Sequence, residues 1–441
     1  MSSKTSARPN QKWVVFLSTS VGTAIEQYDF LLFGVLAASI FSKLYFPSFD
    51  PLMGTLASMG AFAVGVAGRP IGAVIAGHFG DRVGRKSMLL VSLITMGAAS
   101  TAIGLLPTYE SWGIWAPILL ITLRLAQGLA LGAEQAGASI LAVEHAPKEL
   151  RGLYGSFPII GSYLGALMAF ATLAIMALIS GDSFTTWGWR VPFLASSVLL
   201  VLGFAIRSRL DETPAFEALQ DNKAKNPLME VIRSSPKQLI VASFIRFGNF
   251  GFSTIIMVIT LSYATTVLAL PRSVILNAIS IAAFLALFTV PLIGYLSDKF
   301  GRRPLIMCAA LCTIFFSWPY FLILQTKDTV WITCAIVFGF AIITPLCFSV
   351  EAAFFSEMFA ARTRFSGVAI GQQIGSLVAG TFIPMFAPLA LAQTGGDPWP
   401  IALFSTAMGC AMALAVYLAR ETRGDALDPG AKLLSKRAMV S

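Results

Sequence analysis

Long apolar stretches alternate along this chain with short segments that hold most of its charge. Twelve such stretches can be marked, at 13–41, 54–79, 88–106, 116–143, 153–179, 188–206, 238–262, 274–296, 305–324, 330–355, 366–391 and 400–419. A helix crossing the hydrocarbon core of a bilayer needs about 20 mostly apolar residues. Within lipid only helices or closed barrels satisfy the backbone, and runs this long and continuous are helical. The pattern therefore predicts an all-α membrane protein with twelve transmembrane helices.

Composition says the same. Of 441 residues 56% are hydrophobic and 12% charged, and mean hydropathy is +0.77; soluble domains carry about 25% charged residues. The surplus apolar surface must face lipid. The net charge of +9 invites a nucleic-acid reading, but the distribution excludes it. With both termini cytoplasmic, 24 of the 31 Lys and Arg fall in the termini and inside connections. Four (Lys43, Arg190, Arg272, Lys327) fall in outside loops, and Arg69, Arg124 and Arg246 fall within helices. That bias sets the orientation by the positive-inside rule and predicts a multi-pass protein with both termini cytoplasmic. Lys4, Arg8 and Lys12 precede a first helix that is too long for a cleaved signal and contains Glu26 and Asp29, so it is expected to be retained. The five cysteines lie within second-half helices and both histidines in the first half. Neither a disulfide nor a metal site is expected, and nothing calls for a cofactor.

Three motifs recur in order. Gly77-His-Phe-Gly-Asp81-Arg82-Val-Gly84-Arg85 returns as Gly294-Tyr-Leu-Ser-Asp298-Lys299-Phe-Gly301-Arg302, an offset of 217. Glu144 with Arg151 returns as Glu357 with Arg364, an offset of 213, and Glu212-Thr213 returns as Glu421-Thr422, an offset of 209. Motifs in register at nearly one offset mark an internal duplication, so two parallel six-helix repeats are expected. They divide the chain into a bundle at 1–206, a cytoplasmic linker at 207–237, a bundle at 238–419 and a tail at 420–441.

The duplicated Gly-x-x-x-Asp-Arg-x-Gly-Arg motif, with Arg124-x-x-Gln127-Gly128, resembles the major facilitator superfamily, whose halves enclose a binding site. Gly22-Thr-Ala-Ile-Glu26-Gln27-Tyr28-Asp29-Phe30, Gly68-Arg69-Pro70, Trp187-Gly-Trp189-Arg190-Val-Pro192-Phe193 and Arg209-Leu-Asp-Glu212-Thr-Pro-Ala-Phe216 resemble its metabolite:proton symporter branch, and the stretches Tyr28–Gly34, Met53–Leu56 and Trp115–Arg124 its shikimate-type permeases. That resemblance implies import of a small organic acid or zwitterionic metabolite with protons, by a lipid-embedded monomer without enzymatic activity. The chain departs from the family pattern at Gln27, where Trp is usual, and around Glu134, flanked here by Ala133 and Gln135. A proton-coupled exporter or a uniporter of the same superfamily is the alternative; a membrane sensor or enzyme is a remote one.

Ionisable groups inside a bilayer are costly, so they pair or line a wet cavity. Glu26, Asp29 and Glu134 are the candidate proton carriers. A carboxylate in a low-dielectric cavity holds its proton more tightly, and a nearby cation loosens it. Helix rise places Asp29 about 24 Å into the first helix and Arg124 about 12 Å from the outer end of the fourth, a shared depth. Two groups follow: Glu26 and Asp29 with Arg124, and Arg69 with Glu134. Permanent ion pairs packing helices 1, 2 and 4 would use the same residues. Arg246 in helix 7 is the second-half candidate for an anionic substrate group, because arginine grips carboxylates in a fork; snorkelling to headgroups is its alternative. Gln27, Tyr28, Arg69, Arg124, Gln127, Gln135, Asn249 and Gln372 complete the candidate binding set. Asp81, Arg82, Arg85, Glu144, Arg151, Asp298, Arg302, Glu357 and Arg364 are assigned to an inner gate, with Asp81 and Asp298 capping the helix that follows each. Glu351, near the inner end of helix 10, fits either gate or packing. If the proton reading holds, at least one of Glu26→Gln, Asp29→Asn and Glu134→Gln abolishes proton-driven uptake; uptake surviving in all three removes it.

Overall fold

The computed structural model describes residues 9–209, 212–213, 216, 227–425 and 427. Lys4 and Arg8, the linker residues 210–211, 214–215 and 217–226, and most of the tail lie outside the described residues. Among the described residues, twelve long helices run through the structure. The first six are α1 (Pro9–Ser39), α2 (Pro51–Val83), α3 (Arg85–Leu105), α4 (Trp115–Glu144), α5 (Phe157–Ser180) and α6 (Arg190–Ser208). The second six are α7 (Pro236–Thr266), α8 (Arg272–Phe300), α9 (Arg302–Gln325), α10 (Thr329–Met358), α11 (Arg364–Gln393) and α12 (Trp399–Leu418). Among the described residues eleven helices, all of these but α1, are long and apolar enough to cross a membrane. α1 carries Glu26 and Asp29 within its 31 residues. Leu178, Val201, Phe288, Phe315 and Leu322 stand largely exposed on the outside of the bundle, where lipid replaces water as their solvent.

Two boundaries differ from the sequence pattern. α1 stops at Ser39 and a short helix, Phe41–Tyr45, takes over. α6 runs on to Ser208 and carries Arg207 as a buried helical residue, not as part of a solvated linker.

Within the first six helices, α1 packs on α5, α2 on α4, and α3 on α4 and α6; within the second six, α7 packs on α11 and α12, and α9 on α12. α2 against α11 and α5 against α8 join the two sets. The α2–α4 contact shows why small residues are needed. A Cβ on Gly128 would lie 2.0 Å from the Gly65 carbonyl oxygen, and one on Gly132 2.0 Å from that of Arg69. In lipid, helices associate by such close backbone approach. The Arg69 backbone is thereby fixed against α4 at Gly132.

α7 and α10 each contain one π-helical turn, at Ile255–Ile259 and Gly339–Ile343. In both, the following threonine closes the turn by donating its hydroxyl five residues back, Thr260 to Ile255 and Thr344 to Gly339, each at 3.0 Å. Pro345 explains the turn in α10. It has no N–H to give to Ala341 in the α register or to Phe340 in the π register. Side chains take both carbonyls: Thr289 of α8 donates to Ala341 at 2.5 Å, and Tyr163 of α5 to Phe340 at 3.3 Å.

Over-packing a close contact costs about 1–3 kcal/mol and sometimes more. Gly132→Val should therefore lower the melting temperature of detergent-purified protein by several degrees, while Gly60→Ala, whose new methyl meets nothing within 4 Å, should leave it within experimental scatter.

Candidate functional site

The centre of the molecule holds four acids (Glu26, Asp29, Glu134, Glu351) and four arginines (Arg69, Arg124, Arg207, Arg246) on α1, α2, α4, α6, α7 and α10. Seven are buried and Arg69 is half-buried. In the second half, Arg246 of α7 forms a buried ion pair with Glu351 of α10. Its Nε donates to Ser376 of α11 at 2.8 Å, and its Nη2 donates to Gln135 of α4 at 2.9 Å. The guanidinium lies 4.7 Å from the ring centre of Phe348 and 5.4 Å from that of Phe250. Arg246 is thus turned into the molecule and does not snorkel. Through Gln135 it reaches the other half.

In the first half the pairing differs from the sequence expectation. Glu134 is bound by Arg207 of α6, not by Arg69: Arg207 spans both carboxylate oxygens, and Ser92 adds a hydrogen bond at 2.9 Å. Arg207 folds back along its helix and donates to the carbonyls of Ser18 and Leu89. Gly22 makes the room, since a Cβ there would lie 1.7 Å from the guanidinium. Helix depth alone could not find this, because a six-bond side chain carries its charge more than a turn from its Cα. The available signal was phase: Gly203 and Arg207 are four apart on α6 and both buried.

Asp29 does not pair directly with Arg124. Its two oxygens accept from Ser100 of α3 at 2.6 Å and Ser196 of α6 at 2.5 Å. Ser100 accepts in turn from Gln127 at 2.7 Å, whose oxygen takes Arg124 at 3.1 Å. A relay of hydroxyl and amide thus joins the two charges. Arg124 also sits over the rings of Phe30, Phe33 and Phe62. Tyr28 donates to Pro192 of α6 at 3.0 Å. Tyr28, Asp29, Arg124 and Gln127 therefore tie α1, α3, α4 and α6 together within one half. Glu26 lies instead among Arg69, Arg207 and Glu134, close enough for their charges to act on it. Arg69 stacks on Phe30 at 4.1 Å and feels both Glu26 and Arg246. Glu26 Oε2, Arg69 Nε, Asn249 Nδ2, Gln372 Oε1 and Glu351 Oε2 are buried without a hydrogen-bond partner. Such groups are costly unless something satisfies them. Gln27, half-buried on α1, is the remaining member of the candidate set.

The duplicated motifs meet at the end of the bundle where α2 stops and α3 begins. Asp81 and Asp298 do cap helices, but in the opposite half and not next in sequence. Asp81 accepts from the backbone of Phe365 and Ser366 at the start of α11, at 3.1 and 3.0 Å. Asp298 accepts from Gly152 and Leu153, at 2.7 and 2.9 Å, in the short helix leading into α5. The caps of α3 and α9 are Glu212 and Glu421, which accept from the N–H groups of Arg85 and Lys86 and of Arg302 and Arg303. Gly84 and Gly301, at φ 127° and 105°, turn the chain there, and a Cβ on either would strike the capping carboxylate. The sequence showed the Glu-Thr repeat but not this use of it.

Glu144 and Glu357 then join both halves. Glu144 meets Arg85 at 3.3 Å and also Arg364; Glu357 meets Arg302 at 3.3 Å and Arg151 at 3.7 Å. Arg85 further donates to the Ala361 carbonyl at 2.8 Å. Arg151 and Arg364 donate to the carbonyls of Asp425 and Leu427, so the start of the tail is laced across this face. Arg82, exposed, meets His78 on its own helix at 3.0 Å.

A family model described as Major Facilitator Superfamily matches residues 31–380. The chain is 36% identical over 399 residues to the shikimate transporter of Escherichia coli (strain K12), covering 89% of this chain and 91% of that protein. It is 34% identical over 426 residues to an inner membrane metabolite transport protein of the same organism, covering 95% and 96%. A solved proton:xylose symporter bound to 6-bromo-6-deoxy-D-glucose shares the fold at a TM-score of 0.79 and 16% identity, over 96% of this chain and 99% of that one.

Removing one member of a buried ion pair typically costs about 3–5 kcal/mol, and replacing both by apolar groups far less. Arg207→Met should therefore melt well below wild type, and Arg207→Met combined with Glu134→Met should recover much of the loss; equal melting of single and double variants would mean that the pair does not hold α4 to α6.

Proposed function

The chain belongs to the major facilitator superfamily, and on that premise we propose that it imports a small organic acid or zwitterionic metabolite together with protons, by alternating access across a bacterial inner membrane. It is a multi-pass membrane transporter; substrate and coupling are the proposal. The observation that carries it is the hydrogen bond from Arg246 to Gln135 between the two halves, within a ring of buried groups that lack partners. Arg69 and Arg246 approach each other from opposite halves. Two guanidiniums with the amides of Gln135, Asn249 and Gln372 suit a hydroxylated carboxylate, since arginine binds carboxylate in a bidentate, charge-assisted fork. Similarity to a shikimate transporter supports that class.

In this reading residues 1–206 and 238–419 rock as two bundles, with the linker and tail on the cytoplasmic side that the positive charge favours. The acids Asp81, Glu144, Asp298 and Glu357 hold that side closed and release it when the halves part. Glu26, Asp29 and Glu134 supply proton-binding capacity in the first half. Of these, Glu26 stands nearest to the proposed site, because Asp29 and Glu134 are held within their own bundle.

Purified protein in proteoliposomes tests this with labelled shikimate, proline and glycine betaine under an inward proton gradient. Accumulation that collapses with a protonophore supports import by symport. Extrusion reverses the direction, and equilibration insensitive to the protonophore makes it a uniporter. Arg246→Lys should reduce uptake by about tenfold or more, because a point charge does not reproduce the fork.

A further inference from the structure

Beyond the three acids of the first half, Glu351 is the acid whose partner spans the moving interface. Asp29 is held by serines of α3 and α6, and Glu134 by Arg207 and Ser92, all within the first half. Glu351 is paired with Arg246, which at the same time binds Gln135 of the opposite half. One oxygen of Glu351 is engaged and the other is buried without a partner. The charged group acting on it is Arg246 from α7; Glu351 in turn acts on the Cys347 thiol of α10, α4 presents Gln135, and Arg246 acts on Arg69 of α2. A substrate carboxylate entering between the halves gains a two-pronged grip on Arg246 by competing with Glu351 and Gln135 for its two Nη groups.

The central charges add a constraint. With every group ionised, the four acids and four arginines of the site sum to zero. A bilayer interior strongly disfavours net charge. An entering monocarboxylate brings one negative charge, and a single proton restores neutrality. We infer that Glu351 is the coupling carboxylate: the substrate carboxylate displaces it from Arg246, Glu351 takes up one proton to become a neutral acid, and the loaded site crosses without net charge. On release, Glu351 gives the proton to the opposite side and re-forms its pair with Arg246. No bond other than O–H is made or broken. This inference rests on the import reading above and assigns its one proton to Glu351 rather than to Glu26, Asp29 or Glu134.

The experiment uses full-length protein in proteoliposomes with an internal pH dye and the carboxylate that the wild type accumulates, shikimate first. Wild type should move about one proton per carboxylate, and a potassium–valinomycin potential should change the initial rate by less than about twofold. Glu351→Gln should lose pH-driven accumulation by about tenfold or more while shikimate-for-shikimate exchange continues, a split that loss of transition-state or binding interactions alone does not produce. Glu351→Asp, which keeps the acid, should retain accumulation.

Accumulation persisting in Glu351→Gln overturns the assignment. So does loss of exchange in a variant that stays monodisperse and melts like wild type, which would make Glu351 a structural partner of Arg246. Uptake driven by the potential overturns the charge balance. If no carboxylate accumulates, the import reading fails separately, and infrared spectroscopy with acetate as probe decides this one. A protonated-carboxyl band that acetate induces in wild type and not in Glu351→Gln supports it, and no induced band overturns it.

Discussion

Charge buried in a lipid-spanning bundle must be matched, and the way this molecule matches it decides what is rigid and what can move. An unmatched ion in low dielectric costs several kcal/mol, a large share of the stability of a domain. Asp29, Glu134 and Glu351 therefore have a cation or hydroxyl against them, and Glu26 has the charges of Arg69 and Arg207 near it. Glu134 with Arg207, and Asp29 with its serines, find their partners inside one half. Those bonds can persist through any motion between halves. Arg246 is different, because it divides its donors between Glu351 in its own half and Gln135 in the other.

The motif face obeys the same rule with another outcome. There Asp81, Glu144, Asp298 and Glu357 each touch both halves, and two of them cap helices they do not belong to. In the proposed alternating-access cycle, parting the halves would expose these groups to water, which would replace the lost partners. Buried pairs at the edge of the bundle are thus matched while the halves touch and have water to turn to if they part. The same pairs at the centre would have no water to fall back on. That contrast fits structural closure at the face and exchange of partners at the centre.

Helix packing places these charges. Gly128 and Gly132 let α4 lie directly on the backbone of α2, which fixes Arg69 beside the acid cluster. Pro345 removes a backbone donor, α10 answers with a π turn, and Tyr163 and Thr289 cover the carbonyls left over. Since Glu351 follows Pro345 by six residues, its direction is set by that turn.

The number of long helices, the duplicated order of motifs, the charged residues of the motif face and most of the buried ionisable groups were legible in the chain. Those features are local: an apolar run of given length, a spacing repeated at one offset, a charge where lipid forbids one. Burial cost identifies residues that need partners, and Glu26, Asp29, Arg69, Arg124, Glu134 and Arg246 were found in that way. The partners themselves were not legible. Arg207 lay where the composition read as linker, Asp81 and Asp298 reached across to the other half, and Glu212 and Glu421 took the caps expected of them. Depth along a helix places a Cα to within a turn, but a long side chain reaches further than that, and rotation about the axis decides which neighbour it meets. The sequence determined which charges must be matched; only the packed helices decided with what, because pairing depends on distances between elements far apart in the chain.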